Sequence, residues 1–458
     1  MTAIRYQVDR IIIPYLFDAL FFLLVFFKLL DGGQGWIDFL SFLLFLCWSG
    51  YELLVRTRVF YLNIHTYLFG TLFLLGVLSI EYSDAFYMYE IDELSGWHGT
   101  FFGALACMYA YARGTSIVLD GVSRSDSAII RGGGGWFNFL VVIYLVVSLF
   151  VIAYHRPALV LQVDRFIYDK VVLGVWGNFT NLGYYFCLGL GAIFFGRKSY
   201  FSFFLFLMII FVFLLKGHKF SNLVEAFFLF AVPYFCMASV KVLRRKIASV
   251  ILGISLLFGM AVSINLYLFP AFSAKDYLRH RLFQEGQLWW AVAKNPDNDR
   301  LHMDELRFEI SSYFSSELME RNFLEIGMYK VMRLAAPEEL VEQKIERQSR
   351  YTRSAQALLY YYFNGFIACV FMLVFGFLWG WLLRRMYHAS LSFWLFESII
   401  LCRVFYIFMK AFKDADFYKI FSFEMLILGL AILLAAKFRM RIPKFSLSSS
   451  KKYLDANV

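Results

Sequence analysis

Basic side chains stand beside the ends of apolar segments at three separated places in this chain of 458 residues. Guanidinium and ammonium groups in such positions are suited to binding phosphate, because Arg offers a planar fork of donors and keeps its charge when partly buried. Arg403 stands inside an apolar segment. An isolated charge there is energetically unfavourable, so it indicates an ion-pair partner or a pathway for a substrate or ion. The positions are Lys216, His218 and Lys219; Arg279, His280 and Arg281; and Arg403, Lys410 and Lys413.

Groups that could move a proton accompany one of these sets of bases and one further Arg. Glu285 and His280 stand beside the Arg279/Arg281 pair, and a further string places Asp164 next to Arg165, with Tyr168 following. Transfer to a hydroxyl acceptor needs a base of this kind, and fixed cations stabilise the negative charge on a leaving group. Any of the three groups could be the base. Flat faces for stacking against sugars are available at Tyr277, Trp289 and Trp290.

The elements that must position these residues are apolar segments of membrane-spanning length. About 60% of the residues are hydrophobic, and a span needs roughly 20 apolar residues, which only a helix satisfies in consecutive segments. The sequence predicts an all-α polytopic membrane protein with about twelve spans. They are residues 11–30, 36–55, 59–80, 98–112, 136–154, 180–196, 200–215, 222–240, 247–269, 357–383, 391–409 and 417–436.

Clusters of Lys and Arg follow every second span, and the positive-inside rule makes that side cytoplasmic. Both termini are therefore predicted inside, and the first span is expected to act as an uncleaved signal-anchor. The bases considered above then lie on the outer side. The cytoplasmic clusters are Arg5 and Arg10; Arg56 and Arg58; Arg113, Arg124 and Arg131; Arg197 and Lys198; Lys241 to Lys246; Arg384 and Arg385; and the tail from Lys437 to Lys452.

The composition argues against several classes of function. The net charge of +10 is explained by the cytoplasmic flanks, which favour anionic lipid, and needs no nucleic-acid partner. The six cysteines all fall inside predicted spans, so neither a disulfide framework nor a zinc site is expected. No acidic motif with metal spacing is evident outside. We therefore expect no metal, no cofactor, and activity that survives a chelator, although the acidic second outer loop at residues 81–93 leaves metal dependence open.

The outer loops differ in length, and the longest one separates the first nine predicted spans from the last three. The predicted units are residues 1–269 with spans one to nine, 270–355 as a large outer loop, 356–436 with spans ten to twelve, and 437–458 as a basic tail. Aromatic residues at helical spacing predict that the long loop is helical, with a helix beginning at Pro337. Long loops of this kind concentrate function.

A lipid-linked pyrophosphate fits cations that come together at the outer membrane face. Its head lies at the interface, its tail occupies a groove between spans, and its phosphates need several fixed donors. Plainer interpretations stay open for the same residues. Arg403 could pair with Glu397, Glu225 or Glu424, Lys216 and Lys219 could extend to the interface, and Trp289 and Trp290 could be interfacial belt residues.

In layout the chain resembles the Wzy-type O-antigen polymerases of the bacterial inner membrane. The resemblance rests on many spans, cytoplasmic termini, a medium third outer loop and a large fifth one, both containing Arg. Three strings carry it: Asp164-Arg165-Phe166-Ile167-Tyr168, Lys216 to Ser221, and Arg281 to Trp290. Some members have an Arg and a Gly about ten residues apart in both large loops, whereas Arg281 here has Gly286 much closer.

The resemblance implies a GT-C-like membrane glycosyltransferase with one large helical periplasmic loop. It would move a growing glycan from undecaprenyl pyrophosphate to the next lipid-linked repeat unit, with a chain-length regulator as a further partner. It implies catalytic roles for Arg165, Arg281, Glu285 and His280. Residues that bind the pyrophosphate or sugar would be Arg279, Lys216, His218, Lys219, Arg403, Lys410, Lys413, Tyr168, Trp289 and Trp290.

Three rival functions remain open at the level of sequence. An O-antigen ligase, or another polyprenyl-dependent glycosyltransferase, would share the spans and the lipid donor and differ only in its acceptor. A lipid-oligosaccharide flippase or other transporter predicts short loops and more charge deep in the spans, where Asp18 is the clearest example here. A non-catalytic assembly component would make the outer bases coincidental.

Overall fold

The fold is built from helices throughout the part of the chain that the structure describes. The structure is a computed structural model. It describes residues 2–31, 35–83, 99–120, 122, 134–163, 165–218, 220–268, 273–295, 301–315, 317–318, 326–346, 354–392 and 395–441.

Two short turns of other helical types accompany the α-helices. A π-helical turn, Tyr168–Val172, follows α8, and a 3₁₀ turn, Phe417–Lys419, precedes the last helix. The helices are α1 (Thr2–Asp31), α2 (Gly35–Leu54), α3 (Thr57–Leu62), α4 (Ile64–Glu81), α5 (Phe101–Leu119), α6 (Gly134–His155), α7 (Ala158–Leu161), α8 (Arg165–Ile167), α9 (Val175–Thr180), α10 (Gly183–Arg197), α11 (Tyr200–Leu215), α12 (Phe220–Met237), α13 (Val240–Arg245), α14 (Ile247–Leu268), α15 (Ala274–Lys294), α16 (Met303–Tyr313), α17 (Gly327–Ala335), α18 (Glu338–Glu346), α19 (Ser354–Phe363), α20 (Gly365–Ser392), α21 (Leu395–Asp414) and α22 (Phe423–Arg441).

Five helical segments in the described ranges are long and apolar enough to cross a membrane. Shorter apolar helices accompany them at α11, α12, α14 and α22. A set of helices with this length and composition is typical of a membrane protein, which confirms the predicted class at that level. The five segments are Gly35–Leu54, Ile64–Glu81, Gly134–Leu161, Val175–Arg197 and Gly365–Ser390.

Several predicted spans have different bounds in the structure, among them the tenth and the fourth. The tenth predicted span is divided into α19 and α20 at Asn364, whose φ of +57° is a left-handed conformation that Asn tolerates well. The fourth continues as α5 past its predicted end, so that Arg113 lies within the helix. There Arg113 forms a bidentate pair with Asp18 of α1, at 2.8 to 3.0 Å. Arg113 thus compensates the partly buried charge of Asp18 and is not a free flanking base.

The tightest packing in the bundle joins α5 and α20 through glycines. Gly376 and Gly380, spaced as in a GxxxG motif, lie against the backbone of Tyr111 and Thr115, and Gly114 lies against Leu373. The absence of side chains lets the two backbones approach closely. The Thr115 hydroxyl donates to the carbonyl oxygens of Tyr111 at 3.0 Å and Gly376 at 3.2 Å.

Helix α15, which lies in the predicted long loop, packs against α4, α19, α17 and α14. Its crossing with α4 occurs where Gly286 meets Gly76, and a side chain on either glycine would collide with the backbone of the other helix. The Trp289 indole N–H donates to the Thr100 carbonyl oxygen at 3.1 Å. Half of this helix is therefore part of the core.

The remaining helices of the predicted loop form a small second core, which joins α17 to α19 and the end of α21. Its buried side chains include Met328, Val331, Met332, Leu358 and Ala415. Helix α18 begins directly after Pro337, as predicted, and Val341 anchors it to this core. The end of the bundle that bears α15 to α18 is called the loop end below.

Candidate functional site

Four basic groups from three parts of the sequence meet at the loop end. Arg165, Lys216 and Lys410 all act electrostatically on the imidazole of His218, and Arg165 also acts on both lysines. These four residues are called the basic cluster below. The structure thus brings together predicted site residues that lie up to about 245 positions apart in the sequence.

Glycine 217 explains how the Lys216 and His218 pair reaches Arg165. It has a φ of +75°, a conformation that only Gly adopts at little cost, so the chain turns sharply after α11. A Cβ atom added at Gly217 would lie 3.9 Å from Cβ of Arg165. The turn therefore presents the bases on both sides of it to the segment that carries Arg165.

Lys216 is fully buried and is held by the segment that carries Arg165. Its ammonium group lies 2.9 Å from Oδ1 of Asp169 and donates to Oδ1 of Asn181 at 2.7 Å. Burial lowers the pKa of Lys216, and the neighbouring Asp169 carboxylate opposes that shift. The lysine is thus a fixed, partly compensated charge and does not extend into solvent.

His218 is 5% exposed and hydrogen-bonded on one side of its ring. The Asn222 amide lies 2.5 Å from Nδ1, and because an amide nitrogen only donates, Nδ1 accepts and the proton of the neutral ring is on Nε2. That Nε2 is buried and makes no hydrogen bond to any part of the chain that is described. Burial, together with Lys216, Arg165 and Lys410, holds the pKa of His218 well below its usual range. His218 is therefore a neutral donor facing its cationic neighbours.

Tyr168 positions the segment of the basic cluster that holds Arg165 and Asp169. Its ring is fully buried, and its hydroxyl donates to the Arg156 carbonyl oxygen at 2.8 Å. Burial raises the pKa of Tyr168 to about 12. The predicted ligand-binding residue Tyr168 therefore acts as a structural anchor in this geometry.

Aromatic and charged side chains alternate along α21, next to the basic cluster. Arg403 lies 5.7 Å and Lys410 lies 5.9 Å from the Tyr406 ring, one on each side of it along the helix. Lys410 is paired with Asp414 at 2.8 Å. Arg403 donates to the hydroxyl of Tyr185 at 2.6 Å.

The ion pair of Arg403 matches one of the plainer interpretations of the sequence, and Lys413 forms an ion pair that was not predicted. Arg403 binds Glu424 of α22 through two hydrogen bonds of 2.6 and 3.0 Å, and Glu424 is one of the three carboxylates considered for it. Lys413 forms a buried pair with Glu225 of α12, and its ammonium lies 5.7 Å from the Phe69 ring. Both pairs tie α21 to its neighbours.

Tyr184 is a candidate that the sequence interpretation did not include. Its ring stacks on Phe213 at 4.5 Å and lies 6.3 Å from the His218 ring. Its hydroxyl is buried without a hydrogen-bond partner in the described ranges, within electrostatic range of Arg165. The aromatic pair Tyr184-Tyr185 in the printed sequence resembles ordinary packing residues, so only the geometry distinguishes it.

The bases on α15 form a separate group, in which neighbouring side chains of the same helix contact one another. Arg281 donates to Gln284 at 2.5 Å and lies 3.4 Å from Glu285. The Nε2 atoms of His280 and Gln284 are 2.8 Å apart, and Arg279 lies 5.6 Å from the Phe283 ring. Arg279, His280, Arg281 and Glu285 are called the α15 face below.

Trp289 and Trp290 are buried, at 1% and 3% exposure, so their rings are not open stacking surfaces. Trp289 contacts Tyr360 with ring centroids 4.6 Å apart, and the Lys294 ammonium lies 4.5 Å from the Trp290 ring. Lys219 and Asp164 lie outside the described residues. No group of three or more His, Cys, Asp or Glu side chains suited to a metal ion occurs among the residues that the structure describes.

Comparison with known proteins gives a match to one family. The profile of DUF6418, described as a family of unknown function, matches residues 321–429. This range covers α17 to α21 and includes Arg403, Lys410 and Lys413, but it excludes Arg165, Lys216, His218 and the α15 face. No curated protein and no solved structure matches the chain.

Proposed function

We propose that this protein is a membrane glycosyltransferase that polymerises lipid-linked oligosaccharide repeat units, as the Wzy-type O-antigen polymerases do. The observation that carries the proposal is the basic cluster, in which Arg165, Lys216 and Lys410 all act electrostatically on the buried His218. Such a concentration of cations and donors favours an anion with several phosphate oxygens, because charge-assisted hydrogen bonds to phosphate are strong.

The donor in this proposal is a glycan on undecaprenyl pyrophosphate. The bond between the sugar C1 and the diphosphate oxygen breaks, and C1 forms a bond to a hydroxyl oxygen on the next lipid-linked repeat unit. The acceptor proton passes to a base, and undecaprenyl pyrophosphate leaves with the electron pair. The cluster stabilises the charge that develops on the leaving diphosphate, and fixed donors act strongly in such a poorly hydrated site.

The residues of the cluster have distinct roles in this scheme. Arg165 grips two phosphate oxygens with its fork, while Lys216 and Lys410 add charge from positions fixed by Asp169 and Asp414. His218 donates through Nε2, and the Tyr184 hydroxyl donates beside it. Because Nδ1 of His218 already accepts a hydrogen bond, the base is assigned elsewhere, to Glu285, His280 or Asp164.

The proposal also includes the architecture and location implied by the family resemblance. We place about twelve spans of a GT-C-like fold in the bacterial inner membrane, with both termini in the cytoplasm and the loop end in the periplasm. A chain-length regulator is proposed as a partner. These assignments make the loop end the face where lipid-linked substrates and the cluster meet.

The test uses a deletion strain complemented with the wild-type chain or with Arg165→Ala. We expect Arg165→Ala to abolish long-chain surface polysaccharide while single-repeat lipid-linked intermediates persist, as seen by gel laddering and lipid extraction. Lys198→Ala, at the opposite end of α10, is the matched control and should give a wild-type ladder. Protein levels in the membrane are compared by immunoblot.

Three outcomes would overturn the proposal. Wild-type chain lengths with Arg165→Ala would remove the phosphate site. Accumulation of long polymer on undecaprenyl pyrophosphate in the deletion strain would instead indicate a ligase. Retention of unpolymerised lipid-linked units on the cytoplasmic leaflet would indicate a flippase.

A further inference from the structure

Helix α16 carries apolar side chains on a face that no other part of the described chain covers. Met303, Ile310 and Phe314 are spaced seven and four residues apart, so they share one side of the helix, and the exposed Arg307 lies between them on that side. They are 49%, 45% and 76% exposed. Apolar side chains concentrated in this way on one surface mark an interaction site.

Two contacts determine the level along the axis of the helix bundle at which α16 lies. The hydroxyl of Tyr362 donates to Glu309 of α16, and Tyr362 comes three residues before α20 begins at Gly365. Tyr313 stacks on Phe421 with ring centroids 6.3 Å apart, and Phe421 comes two residues before α22 begins. Because α20 and α22 are both strongly apolar, α16 lies at the level where these helices enter the hydrocarbon.

The exposed face of α16 is continuous with the apolar surface of α22. Phe421 and Phe423 are largely exposed at the start of that helix, and Leu426 and Leu430 continue the exposed surface along it. A helix that places such residues on its outside in a membrane protein contacts lipid. The apolar face of α16 therefore extends a lipid-facing surface to the edge of the bilayer.

We propose that α16 is an interfacial helix whose apolar face is embedded in the lipid bilayer at the loop end. Met303, Ile310 and Phe314 lie at the boundary between headgroups and acyl chains, as in other amphipathic helices at membrane surfaces. Arg307, exposed on the same helix, contacts lipid phosphate. The proposal is independent of glycosyl transfer and concerns the long loop as a membrane-bound element.

The test places a fluorescent reporter on the face and measures its contact with lipid. Phe314→Trp in the full-length protein is reconstituted into phosphatidylcholine vesicles with or without bromine on the acyl chains. The emission of the wild-type protein, with its ten tryptophans, is subtracted. The matched control is Glu342→Trp, at an exposed position of the charged helix α18.

We expect brominated lipid to remove most of the emission added by Phe314→Trp and little of that added by Glu342→Trp. We expect aqueous acrylamide to give the reverse order. Equal and weak bromine quenching of both variants would overturn the proposal. Protection of the Phe314→Trp indole from bromine and acrylamide alike would also overturn it, because a second protein surface would then cover the face. Ile310→Trp, on the same face, replaces Phe314→Trp if that variant does not fold.

Discussion

The basic cluster and the α15 face contain the same kinds of side chain but are built in different ways. In the cluster, Lys216 is held by Asp169 and Asn181 from another part of the sequence. On the α15 face, Arg281 is held by Gln284 and Glu285, within one turn of the same helix. The cluster depends on the tertiary fold, whereas pairs of the second kind form within a single helix.

This difference distinguishes cations whose positions are fixed by the fold from cations that can change partners. Lys216 is fully buried, whereas the Arg281 side chain is 43% exposed. A buried cation with partners on other elements keeps its position when a ligand arrives, so it contributes preorganised electrostatic stabilisation. An exposed Arg paired within its helix can exchange partners readily. In the proposed function, the cluster would therefore bind the leaving diphosphate and the α15 face would contact the mobile glycan.

The first test of this comparison replaces the guanidinium group of an Arg by the ammonium group of Lys. This substitution keeps the positive charge but removes the planar pair of hydrogen-bond donors. Arg165→Lys should reduce kcat/KM for polymerisation of lipid-linked repeat units by about 10²-fold, which is typical for loss of one fixed donor to a developing anion. Arg281→Lys should reduce it by less than about tenfold, because its site tolerates movement. The measurement uses purified protein with a synthetic lipid-linked repeat unit.

The control for that experiment is the thermal stability of both variants, which should match the wild type because each retains its charge. If Arg281→Lys lost as much activity as Arg165→Lys, the two regions would not differ in the way proposed.

A second test detaches the α15 face and leaves the cluster in place. Gly286→Ala adds a side chain where α15 meets the backbone of α4 at Gly76 and Val77, so overpacking should lower the free energy of unfolding by about 1–3 kcal/mol. Gly259→Ala on α14, where nothing lies within 4 Å of the added group, is the matched control. Denaturant titration of the detergent-solubilised proteins measures both. A wild-type midpoint for Gly286→Ala would mean that α15 is not docked in this way.

The sequence predicted the individual bases of the cluster but not how they are bound. Apolar length and the alternation of Lys and Arg lead directly to a helical bundle, because a span has few alternative structures in lipid. That Lys216 pairs with Asp169 depends on the left-handed turn at Gly217, and nothing in the local sequence states which segment the turn faces. Tyr184 was missed because a buried tyrosine with a functional hydroxyl has the same sequence signal as a packing residue.

For helix α15, the sequence predicted the secondary structure but not the burial of its aromatic side chains. Its aromatic spacing correctly predicted a helix, but the sequence predicts Trp289 and Trp290 as sugar-stacking faces or as interfacial belt residues, because they fall in a predicted outer loop. The structure buries both, since Gly286 and Gly76 allow α15 to approach α4 closely. Contacts between distant glycines are not visible in a single sequence, so burial of a loop helix is hard to predict.

A third test measures how the free energy of unfolding depends on pH through His218 of the basic cluster. The pKa of His218 lies well below 6.5 in the folded protein and near 6.5 in the unfolded chain. As the pH falls below about 6.5, the unfolded chain binds a proton that the folded protein does not. The free energy of unfolding should therefore decrease towards acid, by up to about 1.4 kcal/mol per pH unit from this residue.

The check compares the wild type with His218→Gln in thermal unfolding between pH 7.5 and 5.5, values chosen to span roughly the unperturbed His range. We expect the wild type to lose more stability than the variant across this interval. Identical slopes would show that His218 is protonated in the folded protein, contrary to its assignment as a neutral donor.

The smallest expected effect is on the α15 face, at Arg279. Its guanidinium lies 5.6 Å from the Phe283 ring on the same helix, and an exposed cation–π contact contributes about 0.5–1 kcal/mol. Loss of this contact in Arg279→Gln should lower the free energy of unfolding by about 0.5–1 kcal/mol, measured by denaturant titration beside Lys275→Gln, an exposed neighbour on α15. A loss of several kcal/mol would mean that Arg279 is bound as firmly as Lys216, and the distinction between fixed and adjustable charge would then fail on the α15 face.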